Sequence, residues 1–153
     1  MDVANNLMVV GCGDKSMHIF DLANPGAIFK SQDSPLKHQT RVVGCFPSGK
    51  GYAVGSVEGR VAIQHMDKEA VSKNFSFKCH RLPDAPKPGE QVAVYGVNAM
   101  AFEKSKGFGT FATGGADGRI SFWDHENRSK LKSTFFFTPC FFWLSSSVCS
   151  RSG

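Results

Sequence analysis

The sequence has no Cys-x-x-Cys pair, no apolar run long enough to cross a bilayer, and no leader-like N-terminus. Its five cysteines are an odd number without zinc-ligand spacing. Cys12, Cys45 and Cys79 lie in apolar or strand-like segments and read as small buried hydrophobes in a reducing compartment. Met1 to Asn6 is polar and carries Asp2, unlike a signal peptide. The sequons Asn74-Phe75-Ser76 and Asn127-Arg128-Ser129 therefore carry little weight. Catalytic patterns are missing as well. No carboxylates are paired at a recurring spacing, and His18, His38, His65 and His125 are scattered. Gly11-Cys12-Gly13-Asp14-Lys15-Ser16 imitates a phosphate loop, but Asp14 puts a negative charge where that loop needs glycine before the lysine. Cys79-His80 is read as two adjacent strand residues facing opposite sides, which separates thiol from imidazole. These absences point away from an enzyme, a cofactor, a bound metal, a small-molecule substrate and a membrane.

What is present is globular. Of 153 residues, 41% are hydrophobic and 12% aromatic, enough for a real core. Sixteen glycines signal many turns and favour an all-β fold. The net charge of +5 permits contact with nucleic acid or an acidic partner without requiring either.

The strongest signal is an internal repeat. Gly11-Cys12-Gly13-Asp14-Lys15-Ser16-Met17-His18-Ile19-Phe20-Asp21, Gly55-Ser56-Val57-Glu58-Gly59-Arg60-Val61-Ala62-Ile63-Gln64-His65 and Gly114-Gly115-Ala116-Asp117-Gly118-Arg119-Ile120-Ser121-Phe122-Trp123-Asp124 share one pattern. Each opens with glycine after apolar residues, has an acidic residue three positions on, then alternates apolar and polar as a half-buried strand does. Glu58-Gly59 and Asp117-Gly118 mark tight turns between antiparallel strands. The copies start 44 and then 59 residues apart, near the period of WD repeats, and the third ends in Trp-Asp. The Pro-rich stretch from Leu82 to Gln91 lengthens the second interval. Arg41 to Phe46 and Val97 to Phe102 are expected as inner strands. Ala27 to Lys30, Phe75 to Cys79 and Leu131 to Thr134 are expected as outer ones. The expected fold is all-β, a partial WD40 β-propeller of about two and a half four-stranded blades over residues 1–133 that begins inside a blade. From residue 134 to 153 the periodicity stops. That tail reads as disordered sequence not selected for the fold, with a membrane-associating segment as the alternative.

Several strings are more specific: Ser34-Pro35-Leu36-Lys37-His38-Gln39, Phe75-Ser76-Phe77-Lys78-Cys79-His80-Arg81, Tyr95-Gly96-Val97-Asn98-Ala99-Met100-Ala101-Phe102, and the Gly55 and Asp117 segments. In this order they resemble the WD-repeat family of the nuclear-pore messenger-RNA export factor and its paralogue, the mitotic-checkpoint WD-repeat protein. The resemblance covers roughly residues 5–133, the family's middle blades. It implies a non-enzymatic scaffold in the nucleus and at the nuclear pore, partly cytoplasmic, docking on a GLEBS-type nucleoporin peptide. The alternative it implies is a spindle-checkpoint adaptor for checkpoint-kinase peptides. Arg60, with Lys78 and Arg81, is the implied peptide contact, since a guanidinium pairs carboxylates in bidentate fashion. Phe77, Trp123, Asp124, Arg128 and Lys130 are the implied nucleic-acid contacts, for RNA held by basic and aromatic groups. His125 stands where the family has Lys, which removes a fixed positive charge from that set.

Overall fold

The computed structural model describes residues 1–83, 87–104 and 109–135. In chain order the strands are β1 (Asp2–Ala4), β2 (Leu7–Gly11), β3 (Ser16–Asp21), β4 (Lys30–Asp33), β5 (Thr40–Cys45), β6 (Gly51–Ser56), β7 (Arg60–His65) and β8 (Phe75–Lys78). They continue as β9 (Arg81–Leu82), β10 (Ala93–Val94), β11 (Val97–Phe102), β12 (Thr110–Gly115), β13 (Arg119–Asp124) and β14 (Ser129–Phe135). A 3-10 turn, Lys68–Lys73, links β7 to β8. The strands form three four-stranded antiparallel meanders: sheet 1 (β1 to β4), sheet 2 (β5 to β8) and sheet 3 (β11 to β14). β9 and β10 make a small ribbon between sheets 2 and 3, framing the Pro-rich connection.

Three complete sheets replace the expected two and a half. The difference is β1, hidden in the polar start of the chain. Ala4 pairs with Leu7 across a two-residue turn, and Asn5 takes the left-handed conformation (φ 54°) that asparagine tolerates. β4 begins at Lys30 rather than Ala27. Pro25-Gly26 carries the chain outward first, and the Phe29 amide reaches the Ile19 carbonyl only just before the strand. β14 runs through Phe135, so Thr134 and Phe135 join sheet 3; residues 136–153 of the expected tail lie outside the described residues. Among the described residues, no helix is long and apolar enough to cross a membrane.

The half-buried alternation expected of the repeat holds in sheets 1 and 3 but not in sheet 2. All six residues of β6 are buried, because sheet 2 is covered on both faces. Tyr52, Val54 and Ala62 pack with Val9, Met17 and Ile19 of sheet 1. Ala53, Val61 and Ile63, from the opposite face, pack with Phe111, Val97 and Trp123 of sheet 3. Adjacent residues of β6 and β7 thus serve different cores, which period-two geometry demands of a filled middle layer. Fully burying each such Val, Ile or Phe stabilises by about 1.5–3 kcal/mol over leaving it exposed.

The three repeat turns superimpose by register. Gly11 pairs with Met17, Gly55 with Val61, and Gly114 with Ile120. Lys15 (φ 71°), Gly59 (φ 63°) and Gly118 (φ 71°) fill the same left-handed position. At Gly59 the requirement is strictest, since a Cβ there would lie 2.5 Å from the Cys79 carbonyl oxygen and 2.7 Å from that of Tyr95. At Gly13 a Cβ meets nothing within 4 Å. Gly59→Ala is therefore expected to cost about 2–3 kcal/mol in urea unfolding, and Gly13→Ala less than about 0.5 kcal/mol. Equal losses would contradict this account of the turn.

Candidate functional site

Arg60, Lys78 and Arg81 come together at one end of sheet 2. Arg60 opens β7 and is the register partner of Lys78, the last residue of β8. Arg81, just beyond, donates from Nη2 to the Glu58 carbonyl at 3.2 Å. Glu58, in the β6–β7 turn, sits at the centre. Its Oε1 lies 3.2 Å from Arg60 Nε, and its Oε2 lies 3.2 Å from His38 Nε2. His38 belongs to the connection that enters sheet 2, so turn and connection meet at the same end. The Arg60 side chain is about one-third exposed (34%). This cluster is a carboxylate held between a guanidinium and an imidazole, with the guanidinium within reach of solvent.

The second set of residues straddles the seam between sheets 2 and 3. Phe77 of β8 and Trp123 of β13 pack with ring centroids 4.6 Å apart. Trp123 is 8% exposed, and its indole N–H donates to Thr113 Oγ1 at 2.8 Å. Lys130, its partner on β14, holds its ammonium 5.6 Å from the indole centroid. Arg128 lies over the Phe75 ring at 4.8 Å and donates to the Lys73 carbonyl. Asp124 accepts hydrogen bonds from the Glu126 and Asn127 amides and the Asn127 side chain, closing the β13–β14 turn. These amides and the Asn127 side chain hold the Asp124 carboxyl below its ordinary value. The five residues are neighbours, but the aromatic faces form the seam itself, and the side chains on the outside are the cations Arg128 and Lys130. His125 turns inward, bonding the Gly109 carbonyl and packing against Phe46.

His80, weighed in the sequence only as a partner for Cys79, organises the inner end of this seam. His80 does not continue β8: the strand ends at Lys78, and His80 has φ 47°. From there its ring crosses to sheet 3. Nδ1 is 2.9 Å from Asp117 Oδ1, and Nε2 is 2.9 Å from Thr113 Oγ1, the same hydroxyl that receives Trp123. The His80 and Asp117 side chains are wholly buried. Burial works to raise the Asp117 carboxyl. The His80 hydrogen bond and charge, with the Arg119 amide, outweigh it and leave the carboxyl below its ordinary value. Gly115 makes room, since a Cβ there would stand 2.2 Å from His80 Nδ1. The signal in the sequence was a histidine in the connection before a repeat whose strands supply Thr, Asp and Trp.

Cys79 and His80 are not the adjacent strand residues expected: β8 ends at Lys78, and His80 takes a left-handed backbone. Burial, reinforced by the nearby Asp117 charge, pushes the Cys79 thiol up to about 12, a poor state for a nucleophile. Cys45 is likewise pushed up to about 12 by burial. Among the described residues no group of three or more His, Cys, Asp or Glu is placed to hold a metal ion.

No protein-family model matches the chain. Over 133 residues it is 46% identical to the Poly(A)+ RNA export protein of Schizosaccharomyces pombe, a match covering 87% of this chain and 36% of that protein. It is 43% identical over 135 residues to the mitotic checkpoint protein bub3 of Dictyostelium discoideum, covering 86% of this chain and 39% of that one. The solved WD40 repeats of RRP9 superpose with a TM-score of 0.64 at 15% identity, over 86% of this chain and 36% of theirs, a likeness of fold. The chain spans little more than a third of the length of the curated relatives it matches.

Thr113→Val keeps shape but removes the shared hydroxyl, leaving two buried ring nitrogens without their partner. The expected cost is about 2–4 kcal/mol, read by chemical denaturation. Because the Asp117 carboxyl is lowered in the folded state, its contribution is present above about pH 4 and fades as pH falls through the folded value. Asp117→Asn should therefore flatten the acid limb of the stability–pH curve. An unchanged limb would show that Asp117 does not supply it.

Proposed function

We infer that this chain, which is homologous to one part of the WD40-repeat family of RNA-export and mitotic-checkpoint proteins, is a non-enzymatic docking scaffold for messenger-RNA export at the nuclear pore. Its ligand is an acidic peptide of the GLEBS type from a nucleoporin. The observation that carries this reading is the Arg60–Glu58–His38 cluster. A guanidinium at the end of a rigid sheet already holds one carboxylate in surface geometry, and a peptide carboxylate offers the same chemistry. Lys78 and Arg81 extend the positive field around it.

RNA meets the same molecule on the outer rim of the seam between sheets 2 and 3. There Arg128 and Lys130 stand over Phe75 and Trp123 and offer phosphate contacts. Phe77 and Trp123 set the spacing of those cations, and Asp124 fixes the turn that carries Arg128. Checkpoint-kinase peptides are the alternative occupants of the Arg60 end, supported by the 43% identity to the checkpoint relative. Nuclear and nuclear-pore residence, with part of the population in the cytoplasm, follows from the export reading.

The test is cooperative thermal unfolding of the full chain with and without a GLEBS-type nucleoporin peptide. A ligand present at about one hundred times its dissociation constant stabilises by about 2.7 kcal/mol, a rise of several degrees. Arg60→Glu should abolish the rise while leaving the peptide-free midpoint within about 1 °C. A rise that survives Arg60→Glu would place the peptide elsewhere, and a rise with checkpoint-kinase peptides alone would move the chain to the checkpoint reading.

A further inference from the structure

The connection from β4 to β5 carries Ser34-Pro35-Leu36-Lys37, a stretch that neither candidate surface uses. Both sheets that flank it are described, so its surroundings are those of a filled seam. Pro35 and Lys37 are exposed and Ser34 is half-buried. Leu36 is the anchor, buried in the core shared by sheets 1 and 2. Backbone bonds hold only the two ends of the connection. The Ser34 amide donates to the Lys15 carbonyl at 2.8 Å, and the Gln39 carbonyl accepts from the Val57 amide at 3.1 Å. Among the described residues, the backbone from Pro35 to His38 bonds no other backbone group. Side chains close the loop instead. Ser34 Oγ lies 3.2 Å from Thr40 Oγ1 and accepts the Leu36 amide at 3.3 Å, and the Lys15 ammonium donates to the Lys37 carbonyl at 3.0 Å.

We propose that Ser34 is a phosphate-acceptor site for a proline-directed protein kinase, and that the Lys15 ammonium holds the phosphate once it is attached. Pro35 has no amide N–H, and it biases Ser34 toward extended backbone. A kinase of this class takes serine in an extended segment and receives the next residue in a pocket that offers an amide no acceptor. Lys37, three places after Ser34, adds a cation for an anionic group of the enzyme. Of the seven prolines, only Pro35 and Pro139 follow a hydroxyl residue, and Thr138 has Phe141 rather than a base three places on. The loop suits capture as well, since its middle opens without breaking a strand ladder.

In the transfer, Ser34 Oγ attacks the γ-phosphorus of a nucleoside triphosphate held by the kinase. The new O–P bond forms as the bridging P–O bond breaks. The nucleoside diphosphate leaves, and the hydroxyl proton passes to a carboxylate base of the kinase. The product carries a charge of about −1.5 to −2 at neutral pH. Lys15 already stands beside Ser34 through their backbone bond, and its ammonium trades a neutral carbonyl for that charge. Asp14, two residues from Ser16, is spent on the Ser16 amide and hydroxyl. Asp33, exposed and next to Ser34 in the chain, is the opposing charge. His38 is engaged by Glu58.

The full chain is incubated with a proline-directed kinase and magnesium-ATP, and the phosphate is placed by peptide mass. One phosphate on Ser34 is expected, with none on Ser34→Ala. Pro35→Ala should slow the reaction by about tenfold or more, since an amide donor enters a pocket without an acceptor. No phosphate on Ser34, or a phosphate on Thr138 alone, overturns the site. If Ser34→Ala loses its circular dichroism spectrum, the mapped mass on the unaltered chain decides. Phosphorus NMR then reads the second ionisation of the phosphoserine. It should lie below the ordinary value of about 6 and return toward it in Lys15→Gln. Equal titration with and without Lys15 overturns the role given to that ammonium.

Discussion

Sheet 2 has no face to give to water, and everything else in the molecule follows from that. A β-sheet buried on both sides needs apolar residues at successive positions, not alternate ones, and Tyr52 to Val54 and Val61 to Ile63 provide them. Such a sheet exists only between two others. Sheets 1 and 3 are therefore conditions for sheet 2, and stability is shared through nearest-neighbour seams rather than held in one central core.

Apolar packing alone would let the sheets slide, because one aliphatic surface fits another in several registers. His80 removes that freedom on one side. It leaves sheet 2 through a left-handed turn and spends both ring nitrogens in sheet 3, on Asp117 and on the hydroxyl that also holds Trp123. Directional bonds in a dry seam fix the offset of one sheet on the next. The same offset lays Phe77 against Trp123 and Arg128 over Phe75, so the candidate surface along the seam shares its geometry with the His80 network.

How far the sequence disclosed this can be judged residue by residue. The strands around Val42, Phe77 and Met100 were legible because apolar and turn residues recur at blade spacing, and the Gly59 and Gly118 turns because only a few residues accept their backbone. β1 was not legible: its strand is three residues in a polar stretch and depends on β2 and β5 for definition, down to Asp2 accepting the Cys45 amide. β4 was displaced because the apolar pair Ile28-Phe29 looks like a strand yet lies exposed in the approach to one. The His80 network joins positions 33 and 37 residues apart, beyond the reach of any local pattern. Arg60, Lys78 and Arg81 were found as a group and do meet, whereas Trp123 beside basic residues reads the same whether its ring faces solvent or seals a seam. Burial decides that, and burial is a property of the neighbouring sheet.

Glu58 gives the cluster at the end of sheet 2 a further character. An anion arriving at Arg60 does not find a naked cation; it finds one already engaged by a carboxylate of its own chain. Association there is a partner exchange, in which one ion pair opens as another closes. Dissolved salt weakens both the resident pair and the incoming one, so screening of the pair that forms is partly offset by screening of the pair that opens. What selects the incoming group is shape and reach: a carboxylate presented at the right angle displaces the resident one, and a mobile anion of the same charge does not.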